Sequence, residues 1–68
     1  MRKMTLKAAR VNVGLDQKAA AEGLNITPKT LRSWEKGKTF PPVDKLTDIC
    51  KLYRCTYDEI NFLPSNPL

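Results

Sequence analysis

The side chains with the most evident chemistry form a short polar cluster near the middle of the chain. Its members follow Pro28 and carry hydrogen-bond donors: Lys29, Thr30, Arg32 and Ser33. Such amino, guanidinium and hydroxyl groups bind phosphate oxygens and the acceptor atoms of base edges. Leu31 and Trp34 alternate with them at helical spacing, so a helix over 28–36 turns the polar residues outward. A helix that binds a protein would present apolar residues on its outward side. The polar and basic side chains found at these positions therefore favour a nucleic acid as the partner.

The chain lacks the residue combinations on which catalysis depends. It contains no histidine, and the adjacent acids Asp58 and Glu59 suit a helix start better than a paired catalytic site. Gly37-Lys38-Thr39 resembles the end of a phosphate-binding loop, but Arg32 occupies the position where that motif requires its first glycine. We therefore predict that the chain is not an enzyme, with no cofactor and no small-molecule substrate.

The two cysteines, Cys50 and Cys55, form a C-x4-C pair. Without histidine or further cysteine, the pair cannot supply the four ligands of an ordinary zinc site. Disulfides are also unusual in the cytoplasm. We interpret both residues as small buried side chains and predict no metal site.

Positive charge is concentrated in the first part of the 68-residue chain, whose net charge is +5. Residues 1–40 hold nine Lys or Arg and three acidic residues. Residues 41–68 hold three Lys or Arg and four acidic residues. One basic face suits docking on a polyanion. No apolar run approaches the roughly 20 residues of a membrane span, and the first residues lack the apolar stretch of a signal peptide. We therefore expect a cytoplasmic protein with no membrane partner.

Capping residues predict five short helices. Thr5, Asp16 and Thr27 are good N-caps, and Pro28 is favourable at a first helical position. The predicted helices cover 6–12, 17–23, 28–36 and 43–53, and a capping box at Thr56 starts a fifth at Tyr57. The inward stripe predicted for the fourth helix is Val43, Leu46, Ile49, Cys50 and Tyr53. Trp34 is at helical spacing with Leu31, so we assign it to the core rather than to base stacking.

The short connection between the second and third predicted helices, Leu24 to Thr27, requires the two helices to cross steeply, as in a helix-turn-helix. The turn needs a residue with positive φ, and Asn25 is well suited to this place. The predicted fold is therefore all-α, a compact bundle of five short helices with the helix-turn-helix at helices two and three. We predict one DNA-binding domain over residues 1–63 and a flexible tail over 64–68.

With these elements, the chain resembles the lambda-repressor-like, Cro/repressor helix-turn-helix domains. The resemblance covers roughly residues 6–62. It rests on Gly14-Leu15-Asp16-Gln17, Ala21, Asn25-Ile26-Thr27, Leu31, Trp34-Glu35-Lys36-Gly37-Lys38 and Thr56-Tyr57-Asp58-Glu59-Ile60. The chain departs from the usual pattern in three places. Asn25 and Arg54 stand where glycine is common, and Pro28 stands where many members carry a polar base-reading side chain.

The resemblance implies that the third helix lies in the major groove of double-stranded DNA. The implied base-reading residues are Pro28, Lys29, Thr30, Arg32 and Ser33. The implied phosphate-contacting residues are Gln17, Lys18, Lys36, Lys38 and Thr39. Arg10 and Glu35 match positions that form an ion pair between the first helix and the end of the third, which would orient the recognition helix.

The sequence thus predicts a sequence-specific transcriptional regulator of the phage or prophage Cro or repressor type. Because so small a domain makes few base contacts, we expect a homodimer on a two-fold operator. The predicted dimer contacts lie around Tyr57, Ile60, Phe62 and Leu63. Two alternatives remain: a protein-interaction module on the same fold, as in an antitoxin or antirepressor, and a non-specific basic nucleic-acid binder.

Overall fold

Four short α-helices and a two-stranded sheet make up residues 4–61, the part of the chain that this computed structural model describes. The helices are α1 (Leu6–Asn12), α2 (Gln17–Leu24), α3 (Pro28–Glu35) and α4 (Val43–Leu52). A 3-10 turn at Tyr57–Glu59 follows, and the strands are β1 (Met4–Thr5) and β2 (Ile60–Asn61). Within residues 4–61, no helix is long and apolar enough to cross a bilayer. The tail predicted over 64–68 lies outside the described residues.

Three helices begin at the N-caps that the sequence predicts. Thr5 Oγ1 accepts a hydrogen bond from the Ala8 amide at 3.0 Å, and Asp16 Oδ1 accepts one from the Ala19 amide at 2.7 Å. At α3, Thr27 Oγ1 accepts from the Thr30 amide at 3.2 Å, directly before Pro28. Each bond satisfies an amide that the helix itself leaves without a partner, so these starts are set locally.

The core forms where α1, α2, α3 and α4 meet. Its buried apolar members are Leu6, Ala9, Ala20, Ala21, Leu24, Leu31, Trp34, Ile49, Tyr53 and Ile60. The prediction that Trp34 belongs to the core is confirmed. Ala20 and Ala21 are fully buried, and their small side chains allow α2 and α3 to pack closely.

The turn between α2 and α3 has the predicted conformation. Asn25 adopts φ 59° and ψ 44°, the left-handed region, as the C-cap of α2. The next amide, that of Ile26, donates to the Ala21 carbonyl at 2.9 Å, and the half-buried Ile26 side chain packs against the core. The chain then enters α3 at once, so the two helices form a helix-turn-helix.

The prediction of a fifth helix is wrong. The capping box at Thr56 is present, since the Thr56 amide donates to Glu59 Oε1 at 2.8 Å. It starts only the 3-10 turn, because β2 begins at Ile60 and pairs in parallel with β1, Met4 opposite Ile60 and Thr5 opposite Asn61. The fold is therefore mostly helical with a small sheet.

The fourth helix is only partly as predicted. Ile49 and Tyr53 are buried and Leu46 and Cys50 are half-buried, but Val43 is 80% exposed. Val43 is the first residue of α4 and lies beyond the edge of the core, so its assignment to the inward stripe is wrong.

The end of α4 is a Schellman motif. The Arg54 amide donates to the Lys51 carbonyl at 3.3 Å and the Cys55 amide to the Cys50 carbonyl at 3.0 Å. This pair of bonds requires a left-handed conformation at the first residue after the C-cap. Arg54 is at that position and adopts φ 56°. Arg54 thus has the conformation in which glycine is common at this position.

Candidate nucleic-acid interface

The outward side of α3 and the loop after it form an open basic groove of about 280 Å³. The groove is lined by Lys29, Arg32, Ser33, Lys36 and Lys38. All four cations are exposed and Ser33 is half-buried. Three predicted base-reading residues and two predicted phosphate-contacting residues therefore share one surface. Pro28 is the first residue of α3 and is also exposed.

Hydroxyl groups hold the ends of this surface in place. Thr30 Oγ1 lies 2.9 Å from Thr27 Oγ1, so the Thr30 hydroxyl is tied to the N-cap of α3. Ser33 Oγ lies 2.9 Å from Thr39 Oγ1, which links the middle of α3 to the following loop. In the same loop, the Lys38 amide donates to the Ser33 carbonyl at 3.0 Å. These contacts fix the Lys38 and Thr39 backbone against the helix.

A buried network around Glu35 connects the end of α3 to α1 and α2. Arg10 Nε donates to Glu35 Oε2 at 2.7 Å, and the two side chains are only 7% and 5% exposed. Arg10 Nη1 also donates to the Leu15 carbonyl at 2.8 Å. Gln17 Nε2 donates to Glu35 Oε1 at 3.0 Å. Glu35 thus fixes α3 relative to both preceding helices.

The two predicted phosphate-contacting residues on α2 do not line the basic groove. Gln17 is half-buried and bonded to Glu35, whereas Lys18 is exposed. The bond between Gln17 and Glu35 is missed by sequence reasoning, since the two residues are far apart in the chain and have no local signature.

The comparison with known families decides what this arrangement is. A helix-turn-helix family model, HTH_3, matches residues 6–60. The chain belongs to the XRE-type, lambda repressor/Cro-like helix-turn-helix family. No curated protein and no solved structure gives a significant match.

Because it belongs to this family, the chain is a DNA-binding regulatory domain of the XRE type. The family is one of DNA-binding regulators and not of enzymes. Its partner is accordingly DNA. The helix-turn-helix itself consists of α2, the turn at Asn25 and α3.

One support of the helix-turn-helix comes from α4 and is also missed by sequence reasoning. Lys45 Nζ donates to the Leu24 carbonyl at 2.8 Å. This carbonyl is at the end of α2, where it has no partner within the helix. The ammonium group therefore caps the first helix of the motif from a distant part of the chain.

A buried tyrosine lies behind the Glu35 network. Tyr53 is 2% exposed, and its hydroxyl has no hydrogen-bond partner among residues 4–61. Burial raises the pKa of Tyr53 to about 12, and the nearby Glu35 charge adds to the rise while Arg10 opposes it. The hydroxyl is thus desolvated within the electrostatic field of the ion pair.

Proposed function

We propose that the chain is a sequence-specific transcriptional regulator that reads the major groove of double-stranded DNA with α3, as phage and prophage Cro and repressor proteins do. The observation that carries the proposal is the basic groove on α3. It presents four exposed cations on α3 and the loop after it, and a buried ion pair holds that helix in place.

Base reading is assigned to the first two turns of α3. In this family of motifs, the N-terminal residues of the recognition helix meet base edges. Lys29 is suited to donate to guanine O6 and N7, and Pro28 to an apolar contact with a thymine methyl. Thr30 and Ser33 offer hydroxyl groups, and Arg32 reaches a base or a phosphate. A good bidentate contact discriminates between bases by about 1–3 kcal/mol.

Phosphate binding is assigned to two places on either side of the recognition residues. Lys36, Lys38 and Thr39 would hold the backbone beyond the end of α3. Gln17 begins α2, where helix amides favour an anion, and Lys18 follows it. The Gln17 amide group has two N–H bonds, so one remains for a phosphate while the other donates to Glu35. Such contacts fix the register without reading sequence.

Dimerisation on DNA completes the proposal. Two copies on a two-fold operator would read half-sites about one helical turn, or 34 Å, apart. Among the contact residues predicted from the sequence, Ile60 is buried and cannot belong to a dimer surface, whereas Tyr57 is 58% exposed. Phe62 and Leu63 lie outside the described residues. Sedimentation of the chain at high concentration, alone and with its operator, tests this part; a monomer in both states would contradict it.

The alternative of a protein-interaction module is less well supported. Such a module would present apolar side chains on the outward face of α3, but this face is polar and basic. We therefore treat a protein partner, as in an antitoxin or antirepressor, as one outcome of the following test. Non-specific binding to nucleic acid is another.

The test is a binding selection from genomic fragments at about 150 mM salt. It compares the native chain with Lys29→Ala, Lys38→Ala and Lys51→Ala. Lys51→Ala is the matched control, because it removes the same charge from an exposed lysine of α4 outside the basic groove.

We expect the native chain and Lys51→Ala to enrich the same two-fold sequence. Lys29→Ala should relax one base position, and Lys38→Ala should weaken all sites alike. If the native chain enriches nothing, a protein partner becomes the better interpretation. If Lys29→Ala and Lys38→Ala weaken every sequence equally, the chain binds DNA without reading it.

A further inference from the structure

The Schellman motif at the end of α4 brings the two cysteines together. Of its two hydrogen bonds, the one that spans five residues runs from the Cys55 amide nitrogen to the Cys50 carbonyl oxygen, a distance of 3.0 Å. With ordinary bond lengths, this bond keeps the two Cα atoms within about 7 Å. Side chains at these two positions of the motif frequently contact each other. The C-x4-C spacing therefore produces a pair of neighbouring thiols rather than two independent buried residues.

Both cysteines lie at a surface that small molecules can reach. They are free thiols, each half-buried, and both line an open groove of about 500 Å³. Val43, Leu46 and Tyr57 give this groove an apolar wall. Burial raises the pKa of both thiols, and at Cys55 the neighbouring Cys50 and Glu59 add to the rise. The sequence-based expectation that both side chains are buried is thus only partly met.

The chemistry of the pair limits what it can bind. Among residues 4–61, no cluster of three or more His, Cys, Asp or Glu can hold a metal ion. A structural zinc ion needs four such ligands, so it does not fit. A trivalent arsenic atom that carries one organic group needs only two sulfur ligands, and its organic group needs an apolar surface.

We propose that Cys50 and Cys55 form a dithiol site for trivalent organic arsenicals, with the organic group in the apolar groove beside Val43, Leu46 and Tyr57. The arsenical reacts as R–As(OH)2. Two As–S bonds form and two As–O bonds break, and each thiol proton leaves with a hydroxide as water. Arsenic remains trivalent, so the reaction needs no oxidant or reductant. The site is on α4 and the turn after it, so the proposal is independent of the DNA-reading role assigned to α3.

The direct test measures binding of phenylarsine oxide to the full chain by intact-mass spectrometry and by competition with thiols. Cys50→Ser and Cys55→Ser are the matched controls, because each keeps one thiol; circular dichroism verifies their fold. A bridged adduct contains one arsenic per chain, resists excess 2-mercaptoethanol and is removed by dithiothreitol. Because the second sulfur binds intramolecularly, each single variant should bind roughly 100-fold more weakly or worse.

A second comparison tests the groove. Val43→Ser changes an exposed side chain, so the fold should be retained. It should weaken phenylarsine oxide several-fold and leave the smaller methylarsonous acid almost unaffected. The dithiol assignment is overturned if two arsenicals bind per chain, or if 2-mercaptoethanol displaces the adduct equally from the native chain and the single variants. Equal effects of Val43→Ser on both arsenicals would overturn the placement of the organic group.

Discussion

Glu35 is the residue on which the orientation of α3 depends most directly. Its carboxylate accepts hydrogen bonds from Arg10 on α1 and Gln17 on α2. A buried carboxylate is tolerated because these donors replace the lost water, and removing one partner leaves a charge without compensation. The buried contacts of Glu35 with α1 and α2 thus determine where α3 presents its side chains.

Replacement of Arg10 by methionine should therefore destabilise the domain strongly. We expect Arg10→Met to lower the free energy of unfolding by about 3–5 kcal/mol, because Glu35 remains buried without its cation. Urea denaturation of the native chain, Arg10→Met and the control Lys7→Met measures the difference. Lys7 is exposed, so its replacement should change stability by less than about 0.5 kcal/mol. Equal stability of the two variants would show that the pair is not important for folding.

Removal of the Tyr53 hydroxyl should have the opposite effect on stability to removal of the Arg10 cation. Tyr53→Phe removes a buried hydroxyl that has no hydrogen-bond partner among residues 4–61, so stability at neutral pH should be unchanged or higher. The folded-state pKa of about 12 exceeds the ordinary value of 10. The contribution of Tyr53 is therefore fully present below pH 10 and is lost as pH rises towards 12.

Thermal denaturation between pH 9 and 12 tests this titration, a range set by the two pKa values. The native chain should lose more stability over this range than Tyr53→Phe. Identical alkaline profiles for the native chain and Tyr53→Phe would contradict the assignment.

At the scale of the elements, the parts of the fold that depend on neighbouring residues are predictable from the sequence. Thr5, Asp16 and Thr27 cap helices within three residues of themselves, and Asn25 sets the turn by its own backbone preference. The fifth helix fails for a non-local reason. Ile60 is buried and pairs with Met4 at the other end of the chain, which no local signal at Thr56 indicates.

The candidate site also has a part that local sequence predicts and a part that depends on contacts between distant residues. The helical period brings Lys29, Arg32 and Lys36 to one side of α3, so this face is predictable. The contact of Gln17 with Glu35 and that of Lys45 with the Leu24 carbonyl depend on how separate helices pack. Their roles therefore become visible only in three dimensions.

Asn25 and Arg54, the two residues other than glycine with positive φ among residues 4–61, offer a test at this scale. A residue with a Cβ pays roughly 1–2 kcal/mol for the left-handed conformation, and asparagine is the most tolerant. We expect Arg54→Gly to stabilise the domain by about 1 kcal/mol and Asn25→Gly to stabilise it less. Thermal or urea denaturation measures both changes. An equal or larger gain for Asn25→Gly would show that backbone strain at Arg54 is not the cause.

For the whole molecule, the uneven charge distribution determines how DNA binding should respond to salt. Lysines that contact phosphates displace condensed counterions, and each contributes close to one unit to the slope of log K against log salt. Lys38→Ala should therefore reduce the slope by about 1, whereas Lys51→Ala on α4 should leave it unchanged. Titrations of one operator fragment at several salt concentrations measure both slopes. Equal slopes for the two variants would place the DNA-binding surface elsewhere.

The pairing of β1 with β2 has a consequence for how the chain can be rearranged. Paired strands lie about 4.8 Å apart, so Met4 and Asn61 are near each other although they lie at opposite ends of the described chain. A linker of a few residues is sufficient to span the gap from Asn61 to Met4. The domain is therefore suited to circular permutation. If the chain is opened between α1 and α2, the helix-turn-helix remains continuous. Its two helices, α2 and α3, would then be the first to be synthesised, and α1 would be the last.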